Sequence, residues 1–261
     1  MTEASLLTRA PTKLQAGTVM TDAEWRQRVD LAALYRAVAL HGWDDMVFTH
    51  ISARVPGPEH HFLINPYGLW FAEITASSLV KVDPEGNVVQ PTEYNINPAG
   101  FTIHSAIHAA RADANVVMHL HTEAGVAVSA QAEGLLPLSQ YALAIIPRLA
   151  YHDYEGIALD LDERERLVAD LGEKHTMLLR NHGTLAVGAT AAEAWLFIFA
   201  LERACRQQVL ALSGGREHVL IAPQAAQDAV RRQTLKFGGL APLAWPGLLR
   251  KLDRELPGYD A

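Results

Sequence analysis

The sequence predicts a single layered α/β domain, and three observations carry that expectation. Strand-like and helix-like stretches mix throughout the 261 residues instead of segregating into halves. Connections in the first half are hairpin-like, with helices packed around a sheet. No Gly-rich dinucleotide fingerprint follows the first strand, so a Rossmann arrangement is disfavoured. At 49% hydrophobic residues, a chain of this length can bury one substantial core.

Residues 1–20 show no sustained period and read as an N-terminal arm. A helix starts at Thr21, because T-D-A-E is a capping box in which Thr21 and Glu24 satisfy each other's backbone donors. It carries Leu31, Leu34, Tyr35 and Val38 on one face and ends near Gly42. F-T-H-I-S-A-R-V and H-F-L-I-N-P-Y-G, joined by P-G-P, read as a hairpin or neighbouring strands. L-V-K-V-D is a third strand, which turns through D-P-E-G-N and returns as V-V. Gly100 to Arg111 is a helix with His104 and His108 one turn apart. A strand then runs from Ala114 to Thr122, and a helix from Glu123 to Ala132 stops at Gly134. L-A-Y-H-D-Y is a strand, and Asp162 to Leu171 a helix. A strand pair follows around His182, and a second capping box, Thr190 with Glu193, opens the longest helix, to about Leu212. The domain is expected over 21–240, with a C-terminal tail over 241–261 lying on the body or on a neighbour.

Composition removes several classes of function. A net charge of -7 with only 22 Lys and Arg, and no basic stripe, argues against nucleic acid as a partner. No run approaches the roughly 20 apolar residues of a membrane span, and the N-terminus lacks an apolar secretion core. The one cysteine, Cys205, excludes an intrachain disulfide framework and reads as a small buried hydrophobe. A soluble cytoplasmic protein with a small-molecule substrate is the expectation.

The chemistry concentrates in two stretches, A-N-V-V-M-H-L-H-T and L-L-R-N-H-G-T-L-A-V-G. His119 and His121 are two apart on a pleated strand, which points both imidazoles to one side of the sheet. His182, between Asn181 and Gly183, sits at a turn between two apolar runs and is the candidate third ligand. Three imidazoles leave a metal position open, the pattern of a catalytic site.

R-A-D-A-N-V-V-M-H-L-H, the R-N-H-G-T-L-A-V-G turn and the A-E-A-W that opens the long helix together resemble the class II aldolase and adducin-head superfamily, over about Asp22 to Leu212. The resemblance implies an α/β/α fold with a central, mostly antiparallel mixed sheet. It also implies a divalent metal on His119, His121 and His182, most often Zn2+ with Fe2+ or Mn2+ as alternatives, and a cyclic homotetramer with active sites between subunits. Tyr141 falls where a neighbouring subunit lends a proton donor, allowing a one-residue insertion. The departures are as informative. The family's acid-base glutamate lies eleven residues before Arg111, and here that position is Gly100, which cannot take up a proton. The family's G-N-x-S turn is T-H-I-S, its hydroxyl-and-glycine loop is N-P-Y-G with only Gly68 kept, and its serine pair is Pro98 and Ala99. A phosphate needs several converging donors, and His50, Asn65 and Tyr67 suit some other polar group.

Glu93 and Glu123 are the carboxylates placed to replace the absent base, Glu123 only if the strand continues. His50, Asn65, Gly68 and His104 are candidate substrate contacts, whereas His108 and His152 read as packing residues. The leading expectation is a metal-dependent, aldolase-like lyase on a small unphosphorylated carbonyl or hydroxy-acid compound, acting through a metal-stabilised enediolate, with Tyr141 as proton donor. A non-haem iron oxygenase on the same triad is one alternative. A non-catalytic, adducin-head-like assembly module is the other. Loss of the glutamate favours that module, and the intact triad opposes it.

Overall fold

The structure, a computed structural model, describes residues 20–156 and 163–261. The expected arm, residue 20 apart, and Asp162 of the expected helix lie outside the described residues. Among the described residues seven strands form one sheet: β1 His50–Arg54, β2 Phe62–Ile64, β3 Val80–Val82, β4 Val116–Leu120, β5 Leu149–His152, β6 Thr176–Leu179 and β7 Gly183–Gly188. Their order is β3-β2-β1-β4-β7-β6-β5, antiparallel throughout except for the parallel pair β5 and β6. The described helices are α1 Asp22–Leu40, α2 Pro98–Ala110, α3 Glu123–Ser129, α4 Gln140–Ile145, α5 Glu163–Leu171, α6 Ala191–Leu212, α7 Gln224–Gln233 and α8 Ala241–Glu255.

The central strand explains the layering. Val116, Val117, Met118 and Leu120 are all fully buried, which requires cover on both faces. Alternation sends Val116, Met118 and Leu120 to one side, where they join Leu31, Leu34 and Tyr35 of α1, Phe197, Ile198 and Leu201 of α6 and Leu252 of α8. Val117 goes to the other side with Leu185 and Val187, under Ile103 and Ile107 of α2 and Leu167 and Leu171 of α5. The result is the expected α/β/α sandwich. Each of these buried Leu or Ile side chains stabilises it by about 1.5–3 kcal/mol, and the period-two pattern decides which face each serves.

Element boundaries follow local chemistry, with corrections. Thr21 caps α1 by accepting from the Glu24 amide at 3.1 Å. The reciprocal half of the box is not made. The Glu24 carboxylate instead accepts from Arg28 Nε at 3.2 Å and Lys81 Nζ at 2.8 Å, because the fully buried Arg28 guanidinium needs an acceptor more than the exposed helix end does. At α6, Thr190 accepts from the Glu193 amide, but the Glu193 carboxylate takes the amide of Ala189 and not that of Thr190. The returning V-V strand is a single bridge, Val82 to Val88. The helix expected to reach Ala132 stops at Ser129, with Gly134 at φ +66 in the following turn. From Ala241 the chain forms α8 against α1 and α6, and beyond it the Pro257 and Tyr259 carbonyls accept from Arg36 at 3.0 Å and the Ala76 amide at 2.8 Å.

Candidate metal centre

His119 lies on the α2 and α5 side of β4, paired across the strands with His50 of β1 and Leu185 of β7. β4 ends one residue later, yet His121 keeps its ring on that side: the two Nε2 atoms are 3.0 Å apart. Thr122 then turns the chain by capping α3, accepting from the Gly125 amide at 3.0 Å. This corrects the placing of Glu123, which opens α3 and is exposed instead of continuing the strand face. His182 sits in the turn between β6 and β7, made by Asn181 at φ +55. Its ring centroid is 4.7 Å from that of His119 and 4.9 Å from that of His121. Gly183 permits the approach, since a Cβ there would come within 3.1 Å of the His121 ring and 3.3 Å of the His119 ring. One ligand atom from each of the three histidines lies within 4.8 Å of the others.

The donor set fits a cation. A carbonyl oxygen only accepts, so His119 Nδ1 carries a proton to the Thr184 carbonyl at 3.0 Å and leaves its Nε2 a lone pair. Likewise, His121 Nδ1 donates to Asp45 Oδ2 at 3.1 Å. With both Nδ1 atoms committed elsewhere, the two Nε2 atoms face each other at 3.0 Å, an arrangement that repels unless a cation or proton stands between them. Burial drives the His119 pKa well below its ordinary value, aided by His182 and His121, and lowers that of His182 to about 4. Both therefore offer unprotonated nitrogens at neutral pH, as ligation requires. The partners Thr184 and Asp45 are of the kind that orient ligating histidines from behind.

A second group of histidines adjoins the first. His50 Nδ1 meets His104 Nε2 at 2.9 Å, His104 Nδ1 meets Ser52 Oγ at 2.6 Å, and Ser52 Oγ meets His108 Nε2 at 2.7 Å. His108 Nδ1 ends the series on the Ala114 carbonyl at 2.9 Å. His104, Ser52 and His108 are buried, and both nitrogens of His104 are engaged by these neighbours.

The remaining predicted residues fall at varying distances from the triad. Asn65 is buried and accepts from the Tyr35 hydroxyl at 2.9 Å, while Gly68 takes φ +105 in the loop that follows. Glu93 is half-buried in the segment whose Asn95 carbonyl accepts from the Tyr67 amide, which places it beside that loop. Tyr141 is 37% exposed on α4 and lines a cavity of 1360 Å³ with Trp195, Phe199 and Phe237; none of the three histidines is among the described lining residues. His152 meets Asp170 at 2.8 Å and Glu163 at 3.3 Å, a clamp between β5 and α5.

Sequence reasoning missed Asp45, Ser52, Tyr154, whose ring lies 6.3 Å from that of His182, and Glu202. Buried Glu202 accepts from the hydroxyls of Thr122 and Thr184 behind β4 and β7, and burial raises its pKa to about 7. Its signal was present: a lone carboxylate inside the apolar run A-W-L-F-I-F-A-L-E-R-A-C.

Residues 29–209 match the family model described as Class II Aldolase and Adducin N-terminal domain. A Caulobacter vibrioides protein, whose name places it provisionally among the class 2 aldolases, is 72% identical over 95% of this chain and 97% of its own. Alpha-adducin of Rattus norvegicus is 47% identical over 78% of this chain, which spans only 28% of that protein. Among solved structures, an aldolase II superfamily protein from Pseudomonas syringae shares 51% identity and a TM-score of 0.90, over 93% of this chain and 98% of that one. L-fuculose 1-phosphate aldolase from Glaciozyma antarctica shares 29% identity and a TM-score of 0.77, over 97% and 98%.

Proposed function

This chain belongs to the class II aldolase and adducin family, and from that premise we propose that it is a metal-dependent lyase acting on a small, unphosphorylated carbonyl or hydroxy-acid compound. The observation that carries the proposal is the facing of His119 and His121, their Nε2 atoms 3.0 Å apart with both Nδ1 atoms committed elsewhere. His119, His121 and His182 would hold the ion, and Zn2+ suits three imidazoles with an open position. A bound divalent ion polarises a carbonyl and stabilises negative charge that develops on adjacent oxygens. The residues around it restrict the substrate. Gly100, Pro98, Ala99 and Tyr67 stand where the family resemblance expects the glutamate and the phosphate donors, so a phosphate finds no cradle. His50, Asn65, Gly68 and His104 line or support the substrate side, with Glu93 beside the N-P-Y-G loop as the available carboxylate. Tyr141, exposed on α4 and away from its own triad, suits a proton donor lent to a neighbouring copy in a homotetramer.

The test is metal analysis of protein purified without chelator, followed by aerobic and anaerobic turnover of hydroxy acids and ketoses with and without a 1-phosphate. One zinc per chain with retro-aldol or decarboxylating activity on unphosphorylated compounds supports the proposal. Robust cleavage of fuculose 1-phosphate would defeat the substrate assignment, and turnover only with oxygen and iron would move the site to oxygenase chemistry. A second reading, an adducin-head-like assembly module, draws on the 47% identity with alpha-adducin and on Gly100. A stable assembly that neither retains metal nor turns over would favour it.

A further inference from the structure

We propose that His50 is the acceptor for the substrate hydroxyl in this site, its Nε2 lone pair held open by a one-way hydrogen-bond series that runs from the Ala114 carbonyl through His108, Ser52 and His104. The assignment rests on the lyase reading above and deepens it.

The direction of the series follows from its far end. The Ala114 carbonyl only accepts, so His108 Nδ1 carries the proton of their 2.9 Å contact and His108 Nε2 is a lone pair. That lone pair must receive the Ser52 hydroxyl at 2.7 Å, which uses the only proton Ser52 has. The 2.6 Å contact between Ser52 and His104 must then be donated by His104 Nδ1, leaving His104 Nε2 to accept. His50 Nδ1 is thereby the donor of the 2.9 Å contact with His104. His50 Nε2 is left as a lone pair with no hydrogen-bond partner among the described residues. Burial lowers the pKa of His104, and that of His108 to about 3, consistent with neutral rings at the start of the series.

Where that lone pair lies gives it a task. A Cβ built on Gly100 would sit 2.7 Å from His50 Cγ and 2.8 Å from His50 Nε2, so the ring fills the space that a side chain at 100 would need. That is the position at which the family resemblance expects a glutamate. His50 also lies opposite His119 across the strand pair, with ring centroids 5.2 Å apart. A nitrogen acceptor thus stands beside the candidate ligand His119. The ligand cluster holds three histidines and no carboxylate, so a bound divalent ion would keep charge to be met by the ligand, which favours an anionic ligand with a neighbouring hydroxyl, a 2-hydroxy acid, over a neutral ketose.

Ser52, His104 and His108 are positioning residues in this scheme, and a tautomer spectrum distinguishes that from packing. Two-bond proton–nitrogen correlation on the zinc-loaded full chain with 15N-labelled histidine should show His50, His104 and His108 all protonated at Nδ1. Ser52→Ala should release His104 and His50 to mixed tautomers with zinc content unchanged, whereas Ser52→Thr, which keeps the hydroxyl, should retain the wild-type pattern. A wild-type His50 protonated at Nε2, or a Ser52→Ala spectrum identical to wild type, would overturn the series. If Ser52→Ala does not fold, the wild-type and Ser52→Thr spectra still decide. The hydroxyl contact is read with glycolate against acetate. His50→Phe should weaken glycolate about tenfold, one hydrogen bond's worth, and leave acetate unchanged. Equal loss for both, no loss, or no glycolate binding by the zinc-loaded wild type would overturn the acceptor role. Failure of the lyase reading would appear separately, as absence of stoichiometric zinc, and the tautomers are measurable in either case.

Discussion

His119, His121 and His182 on one hand, and His50, His104 and His108 on the other, present the same ring in adjoining clusters beside one sheet, yet their neighbours set them to opposite uses. In the first group, Nδ1 of His119 and His121 is spent on a backbone or carboxylate oxygen, and the two Nε2 atoms converge on a shared point. In the second, each ring donates through Nδ1, and the Nε2 atoms of His104 and His108 each accept from the next partner. Convergence calls for a cation or a proton between the rings, whereas head-to-tail order satisfies itself. Imidazole has no fixed role here; the group behind Nδ1 and the group ahead of Nε2 assign it.

The sharpest way to break this contrast is to remove one converging ligand. His121→Ala should lose stoichiometric metal, a deficit beyond the roughly 100-fold upper end seen for supporting residues, whereas His152→Ala, in its clamp between β5 and α5, should retain it; elemental analysis of the two purified proteins decides. Metal kept by the His121 variant would end the distinction between the groups.

Acid should act next most strongly, and on the ordered series. His108 is depressed to about 3 in the folded protein against about 6.5 unfolded. Its stabilisation is complete above about pH 6.5 and is lost as pH falls toward 3, because the unfolded state then binds the extra proton. Between pH 6.5 and 5 one such ring costs about 2 kcal/mol, and His50 and His104 shift in the same direction. Urea unfolding of metal-free protein at pH 7 and pH 5 should show a loss of several kcal/mol. A flat profile would mean that the series is not neutral.

Asp45→Ala removes the carboxylate behind His121 without touching the metal position. Affinity for zinc should fall about 10–100-fold, near 1.4–2.7 kcal/mol, by competition with a chelating dye. No change would show that His121 needs no orientation.

The smallest effect concerns Gly100. Alanine in α2 gains up to about 1 kcal/mol of helix propensity, but its methyl meets the His50 ring, an overpacking that costs about 1–3 kcal/mol. The net should be a loss near 1 kcal/mol in thermal unfolding, with a shifted His50 resonance. A stabilised variant would mean that His50 does not fill this space.

The converging group was legible in the sequence and the ordered group was not, for a physical reason. H-L-H on an apolar run and N-H-G at a turn are local patterns, and the pleat converts the first directly into a shared face. The capped starts of α1 and α6 were equally local. His104 and His108 were visible only as neighbours on a helix. Nothing within α2 says that it lies over β1, and the order of the series depends on a serine in that strand and on the Ala114 carbonyl beyond the helix. Asp45 was hidden in the same way. It reaches His121 from a loop in which Met46 and Thr49 take φ +49 and +65, conformations that their residue types do not announce. The α1 capping box failed in its second half because Glu24 had a buried guanidinium to serve, a tertiary claim on a local pattern, and the α6 box because Glu193 took the Ala189 amide one residue off.

The exclusion between a side chain at position 100 and the ring of His50 also bears on how such a site can change over generations. A glutamate introduced beside this histidine has nowhere to place its first carbon, and a histidine lost beside this glycine leaves a hole next to the metal strand. The two positions are therefore coupled in this chain, so that each limits what the other can become.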